Sequence, residues 1–104
     1  MEQSSKTLTF VVPAYNMETY LERCVESLLS ATDNSDIEVL IVDDGSSDGT
    51  PELADMYERR WPGNVRAIHQ VNKGHGGAVN TGIANATGMY VKVVDADDWV
   101  DDAH

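Results

Sequence analysis

Short apolar segments alternate along the chain with longer stretches whose hydrophobic residues recur every three or four positions. The apolar segments, which are typical of buried strands, are residues 8–12, 38–42, 65–70 and 90–94. The first intervening stretch places its hydrophobic residues on one helical face, at Leu21, Cys24, Val25, Leu28 and Leu29. Two further stretches, residues 51–61 and 79–86, also have helical spacing. The pattern predicts the element order β-α-β-α-β-α-β.

This alternation predicts the fold class. Parallel strands need crossover connections, and right-handed crossovers place helices on both faces of the sheet. We therefore expect an α/β protein with a Rossmann-like three-layer α/β/α architecture and a mostly parallel sheet. With 104 residues, 41% of them hydrophobic and 24% charged, the chain is expected to form a single globular domain over residues 1–104.

The charge balance narrows the possible partners. The formal net charge is −11, from 18 acidic and 7 basic residues, which disfavours nucleic acids and anionic membrane surfaces. A single cysteine excludes an internal disulfide and fits a reducing compartment. Residues 1–6 lack the pattern of a signal peptide, and no apolar run approaches the roughly 18 residues of a membrane span. We expect a cytoplasmic protein, which in a full-length form would allow a peripheral position at the inner face of the membrane.

Polar and glycine-rich clusters begin where the predicted strands end. They are residues 13–16, 43–46, 72–77 and 95–98. Ligands of open α/β sheets bind outside the carboxyl ends of the strands. We therefore expect the four clusters to meet at one edge of the sheet and to form a ligand site there.

Asp44 is the predicted contact for a nucleoside. Asp, Gly and Ser are ordinary turn residues, so residues 43–46 could also be scaffolding alone. The position directly after a buried strand favours binding, because a carboxylate there can accept the ring N–H of uracil or a ribose hydroxyl. Tyr15 could stack on a nucleobase or serve as a packing residue. Asn16 is expected to cap the first helix.

Two further clusters suggest contacts for a metal and for phosphates. Asp95, Asp97 and Asp98 follow an apolar strand and offer hard oxygen ligands for Mg²⁺ or Mn²⁺; the alternative is a solvated acidic helix start. Residues 72–77 precede a helix whose N-terminus could hold an anion, with Lys73 and His75 in reach of a diphosphate. The alternative there is a tight strand-to-helix turn.

Taken in order, these motifs closely resemble the family 2 glycosyltransferases of GT-A fold. The matching segments are residues 11–16, 42–50, 72–74 with 80–82, and 95–98. Each motif alone is unspecific, but the four in this order are specific and span nearly the whole chain. The resemblance implies the N-terminal half of a GT-A fold, forming one domain that binds a nucleotide-diphosphate sugar. It also implies inverting transfer, often from a UDP-sugar, to a saccharide or lipid-linked acceptor hydroxyl in cell-surface polysaccharide synthesis.

The resemblance also suggests residue roles. The nucleoside pocket would be lined by Pro13, Ala14 and Tyr15, with Asp44 on the base. With the residues argued above, the predicted donor-binding set is Pro13, Ala14, Tyr15, Asp44, Lys73, Gly74 and Asp95. Asp97 and Asp98 would hold the Mg²⁺ or Mn²⁺ ion.

Three features depart from a complete enzyme of this family. Its catalytic base lies well downstream of the Asp-x-Asp region, so no catalytic residue is predicted in this chain. Val79 stands where many relatives carry arginine, and Lys73 could compensate for that charge. The fourth strand would normally pair with later strands, so we expect an exposed sheet edge here and self-association through it.

The alternative to a transferase is a non-catalytic nucleotide-binding or interaction domain, which the missing base would favour. A dinucleotide-dependent oxidoreductase is disfavoured because residues 13–16 replace the G-x-G-x-x-G turn after the first strand. A phosphoacceptor receiver domain is disfavoured because its acidic pair would follow the first strand rather than the second.

Overall fold

Strands and helices alternate in the predicted order. The computed structural model describes residues 6–31 and 36–95. The elements are β1 (Lys6–Ala14), α1 (Glu18–Ala31), β2 (Ile37–Asp44), α2 (Thr50–Arg60), β3 (Val65–Gln70), α3 (Gly74–Asn85) and β4 (Gly88–Val93). The predicted order is confirmed. In this described part of the chain, no helix has the length and apolar character needed to cross a membrane.

The described strands form one parallel sheet in the order β3-β2-β1-β4. Val11 of β1 is level with Leu40 of β2 on one side and with Val93 of β4 on the other. The chain therefore moves outward from β1 to β3 and then returns across the sheet to β4. This reversal puts α1 and α2 on one face and α3 on the other, which confirms the Rossmann-like three-layer α/β/α architecture.

Alternating side chains of β1 and β2 contribute to two cores of unequal size. The larger core lies under α1 and α2 and buries the whole predicted apolar face of α1, namely Leu21, Cys24, Val25, Leu28 and Leu29. The smaller core, under α3, consists of Val11, Leu40, Val42 and Ala78. Burying a large aliphatic side chain contributes about 1.5–3 kcal/mol. Most of the stabilisation by apolar burial therefore comes from the α1–α2 face.

Glu38 is a buried charge within a strand whose pattern is otherwise apolar, and only 5% of the residue is exposed. Its Oε1 accepts hydrogen bonds from the Thr9 hydroxyl (2.9 Å) and from the N–H and hydroxyl of Thr87 (both 3.1 Å). Its Oε2 accepts one from Nε of Arg66 (2.8 Å). Because an unpaired buried carboxylate loses several kcal/mol of solvation, these bonds stabilise the attachment of β1, β3 and the residue before β4 to β2.

β4 is an edge strand. Within residues 6–31 and 36–95 it pairs with β1 alone. Its exposed hydrophobic residues are Met89 (74%), Tyr90 (65%), Val91 (40%) and Val93 (38%). The exposed sheet edge expected from the sequence is therefore confirmed.

A close contact between α3 and β1 generates a stability prediction. A Cβ atom on Gly82 would lie far inside contact distance of Cγ1 of Val11, a fully buried side chain. Gly82→Ala should therefore lower the free energy of unfolding by about 1–3 kcal/mol, as overpacked cores do. Urea unfolding followed by circular dichroism measures this change.

The control is Gly76→Ala in the first turns of the same helix, where a Cβ would meet no atom within 4 Å. It should raise stability by up to about 1 kcal/mol through helix propensity. Equal effects of the two substitutions would contradict the close packing of α3 on β1.

Candidate functional site

A cleft of about 330 Å³ opens at the carboxyl edge of the sheet, where α3 begins. It is lined by Pro13, Ala14, Tyr15, Met17, Asp44, Asn72, Gly74, His75, Ala78 and Asp95. All the predicted donor-binding residues except Lys73 are in this lining. The structure thus brings the strand-end clusters together at one edge, and the individual roles of their residues stay predictions.

Asp44 is a buried carboxylate at the end of β2, with only 2% of the residue exposed. Its Oδ1 accepts hydrogen bonds from Nε2 of Gln70 (2.9 Å) and from the backbone N–H of Lys73 (2.8 Å). Burial alone would raise the pKa of Asp44. Hydrogen bonds from Gln70, Lys73 and Gly74 and the charge of Lys73 outweigh burial and hold the pKa below its usual 3.8. Asp44 is therefore an ionised acceptor at neutral pH.

The turn between β3 and α3 is built around Asp44. Nδ2 of Asn72 donates to the backbone carbonyl of Asp44 (3.1 Å), and the N–H of Gly74 donates to Oδ1 of Asn72 (3.2 Å). Gly74 has a φ of 82°, in the left-handed region that favours glycine. Lys73 thus contributes to the site through its backbone. Asn72, which no individual prediction had singled out, fixes the turn.

The loop after β1 carries Tyr15, which is 48% exposed at the cleft. Asn16 follows with a φ of 53°. Its N–H donates to Oγ of Ser46 (2.9 Å), and its Oδ1 accepts from the N–H of Ser47 (2.8 Å). Asn16 therefore joins the β1–α1 loop to the β2–α2 loop, whereas the sequence predicted that it would cap α1.

Reciprocal hydrogen bonds join the start of α1 to the start of α2. Oδ2 of Asp48 accepts a hydrogen bond from the N–H of Glu18 (3.2 Å), and Oε1 of Glu18 accepts one from the N–H of Gly49 (3.0 Å). Burial raises the pKa of Asp48, but hydrogen bonds from Thr50 and Glu18 outweigh it and lower the pKa. Each helix start thus receives the negative charge that its dipole favours.

His75 and Asp95 form a pair at the cleft. Nε2 of His75, in the first turn of α3, lies 2.8 Å from Oδ1 of Asp95, which follows β4. The side chains are 64% and 40% exposed. The pair therefore links two elements that are 20 residues apart in the chain.

The predicted metal ligands, Asp97 and Asp98, lie outside the described residues. In residues 6–31 and 36–95, no group of three or more His, Cys, Asp or Glu side chains is arranged to hold a metal ion. β4 leads directly into the acidic segment, and Asp95, its first member, lines the cleft. Carboxylate oxygens are the ligands that Mg²⁺ and Mn²⁺ prefer, so the donor set fits such an ion.

A second histidine cluster lies on the opposite face of the sheet. Nδ1 of His69 lies 2.8 Å from Oδ2 of Asp43, and its Nε2 lies 2.7 Å from Oδ1 of Asp55. Oδ1 of Asp43 also accepts the N–H of Ser46 (3.0 Å). Neighbouring residues of a strand face opposite ways, so Asp43 supports the turn while Asp44 faces the cleft. That alternation was the signal in the sequence that could have separated their roles.

Together, the fold and the cleft define a parallel α/β domain with a cleft at the point where the strand order reverses, which is where open α/β sheets bind their ligands. The family model described as Glycosyl transferase family 2 matches residues 9–104. The chain therefore belongs to glycosyl transferase family 2, as its motifs predicted.

Curated relatives match nearly the whole chain. A protein named uncharacterized glycosyltransferase EpsJ, from Bacillus subtilis, is 45% identical over 96 residues, which are 92% of this chain and 27% of EpsJ. Another, named uncharacterized glycosyltransferase YibD, from Escherichia coli, is 42% identical over 100 residues, or 96% of this chain and 28% of YibD. The chain spans less than a third of the length of either relative.

Solved structures support the same fold. S. aureus TarS in complex with UDP has a TM-score of 0.79 and 28% identity, over 93% of this chain and 31% of the TarS chain. Mannosyltransferase PcManGT from Pyrobaculum calidifontis, in complex with GDP-Man and Mn²⁺, has a TM-score of 0.80 and 28% identity, over 89% of this chain and 28% of its own. The predicted GT-A portion is thereby confirmed.

The His69 cluster generates a prediction about pH. Hydrogen bonds from its ring to Asp43 and Asp55 raise the pKa of His69 above 6.5. A raised pKa in the folded state means that the stabilisation is complete below about pH 6.5 and is lost as pH rises through the folded-state value. His69→Gln should therefore lower the melting temperature by more degrees at pH 6 than at pH 9.

Thermal melts of the unaltered chain and of His69→Gln, each at pH 6 and pH 9, measure this difference. The contributions of the other titrating groups to stability are the same in both proteins and cancel in the comparison. Asp55→Asn, which removes one partner, should lower the pKa of His69 in an NMR titration. Equal losses of melting temperature at pH 6 and pH 9 would contradict the assignment.

Proposed function

We propose that this chain forms the donor-binding part of an inverting glycosyltransferase that uses a nucleotide-diphosphate sugar, namely a UDP-sugar. The observation that carries the proposal is the convergence of Asp44, Tyr15 and the start of α3 on one cleft. Membership of glycosyl transferase family 2 supports it. So do two neighbours whose structures hold UDP and GDP-Man.

The nucleoside end of the donor would bind at β1 and β2. Asp44 is ionised, so it can only accept hydrogen bonds, which suits the ring N–H of uracil or a ribose hydroxyl. The bonds from Gln70 and Lys73 fix this carboxylate before the ligand arrives. The half-exposed ring of Tyr15 would stack on the base, and the buried residues Pro13 and Ala14 would form the wall behind it.

The diphosphate would lie toward α3 and the acidic segment. Asp97 and Asp98 would hold Mg²⁺ or Mn²⁺, and Asp95 would stand near the ribose. Such a metal ion, when bound, would neutralise the charge that develops on the leaving diphosphate. The Mn²⁺ in the PcManGT complex supports a divalent ion in this role. Lys73 and Gly74 would contact the donor at the turn that Asp44 organises.

Another part of a longer protein would bind the acceptor and would supply the base that deprotonates it. We propose a saccharide or lipid-linked hydroxyl as acceptor and a cytoplasmic reaction. The relatives extend well beyond the matched region, because this chain covers only 27–28% of their length. The present residues would therefore bind the donor and contribute little turnover on their own.

Calorimetric titration of UDP, with and without Mn²⁺, tests the donor site. Asp44→Asn should weaken UDP binding at least about tenfold, or about 1.4 kcal/mol, because it replaces an acceptor oxygen by a donor N–H₂. The Asp97→Asn, Asp98→Asn double variant should lose the enhancement by Mn²⁺. Glu52→Gln removes the same charge from the exposed start of α2 and should bind like the unaltered chain.

Melting curves of each variant separate lost binding from lost folding. If the folded chain bound neither UDP nor another nucleoside diphosphate, the proposal would fail for this chain. Binding of UDP without sugar transfer by any longer form would instead favour a non-catalytic nucleotide-binding domain.

We also propose self-association through β4. The outer edge of β4 exposes backbone N–H and C=O groups beside the apolar side chains of Tyr90 and Val91. The net charge of −11 opposes association at low ionic strength, but about 0.15 M salt shortens the range of this repulsion to about 8 Å. Sedimentation in this salt should therefore show a mass that rises with concentration.

Val91→Lys should suppress the association, since a charge on an edge strand disfavours pairing. Val71→Lys is the matched control, because Val71 is 82% exposed but lies beyond the end of β3. A monodisperse monomer with a cooperative melt at high temperature would refute the proposal.

A further inference from the structure

The charges around the cleft are poorly matched to an anionic ligand. Its acidic side chains are those of Asp44 and Asp95, in a chain whose net charge is −11. A nucleoside diphosphate carries further negative charge and would be repelled by both. Among the described residues that line the cleft, His75 has the one basic side chain. Lys73 is not part of the lining.

The position of His75 is set by its partner rather than by packing. It lies between Gly74 and Gly76, where an added Cβ would meet no atom within 4 Å, and 64% of its side chain is exposed. The contact between its Nε2 and Asp95 uses one ring nitrogen. Nδ1 has no partner among the residues that the structure describes. The imidazole is thus oriented by a carboxylate and has a second nitrogen left for a ligand.

The next residues of α3 on the same side as His75 are Ala78, which lines the cleft, and Val79, one turn further along the helix. Neither offers a charge or a side-chain hydrogen bond. A phosphate that approached this side of the first turn would therefore meet a polar side chain at His75. When both ring nitrogens carry a proton, Nδ1 can donate to a phosphate oxygen while Nε2 stays bonded to the carboxylate of Asp95.

We propose that His75 binds the phosphates of the donor and that Asp95 orients it for this contact. The inference rests on the proposed function and adds to it a phosphate-recognising residue. Asp95 would then have two roles at the cleft: it would lie near the ribose, and it would orient the imidazole of His75. The selectivity of the site for a nucleotide over a nucleoside would depend in part on this pair.

The test compares three ligands, uridine, UMP and UDP, in NMR and calorimetric titrations of the 104-residue chain. Saturating Mn²⁺ keeps any change in metal affinity out of the comparison. His75→Gln should weaken UMP and UDP binding about tenfold, the effect of losing one charge-assisted hydrogen bond, and should leave uridine binding unchanged. His75→Arg, which places a permanent cationic donor at this position, should bind UDP more tightly than His75→Gln.

The control is His69→Gln, which removes a histidine from the opposite face of the sheet and should not change the ratio of UDP to uridine affinity. A melting curve of His75→Gln close to that of the unaltered chain shows that folding is retained. In Asp95→Asn, the further substitution His75→Gln should have a smaller effect on UDP binding than it has alone, because its orienting partner is already lost.

The outcomes separate the two proposals. If the unaltered chain binds UDP and His75→Gln binds it equally well, the role of His75 is wrong and the donor site stands. Equal weakening of uridine and UDP would also overturn it, since His75 would then act on the nucleoside. If the folded, unaltered chain binds none of the three ligands, both proposals fail.

Discussion

Parallel strands cannot be joined by a tight turn, and this constraint determines where the side chains of the cleft lie. Each strand must be followed by a crossover that returns the chain to the same end of the sheet, so all the carboxyl ends meet at one edge. The order β3-β2-β1-β4 then places a reversal beside β1, and the cleft lies there. Tyr15, Asp44 and Asp95 belong to three different strand ends, and they share a cleft because of this topology.

The sequence predicted the features that depend on local periodicity. The apolar face of α1 could be read residue by residue, because helical spacing alone decides which side chains point the same way. The order of the elements and the parallel sheet followed from alternation, and the exposed β4 edge followed from the family resemblance. The strand-end clusters could be assigned to one edge for the same topological reason. These predictions needed no knowledge of which strand pairs with which.

The features that the sequence did not predict depend on strand pairing. His69 contacts Asp43 because β3 and β2 align these two residues, and no local pattern specifies that register. The burial of Glu38 also depends on strand pairing, since its hydrogen-bond partners come from β1, β3 and the start of β4. Asparagine is a common helix-capping residue, but the side chain of Asn16 accepts a hydrogen bond from a backbone N–H of a neighbouring loop instead. In each case a tertiary partner outweighs the local preference.

Stability and ligand binding compete in many enzymes, and the two unequal cores place most of the stabilising packing away from the cleft. The α1–α2 face contains most of the buried apolar side chains, whereas the cleft lies beside the start of α3 and touches the larger core only at Ala14 and Met17. Substitutions that improve packing deep under α1 and α2, away from Ala14 and Met17, would therefore act at a distance from the cleft. Thermal stability could be raised in this larger core with little change to the residues that line the cleft, although stabilising changes in proteins often cost function.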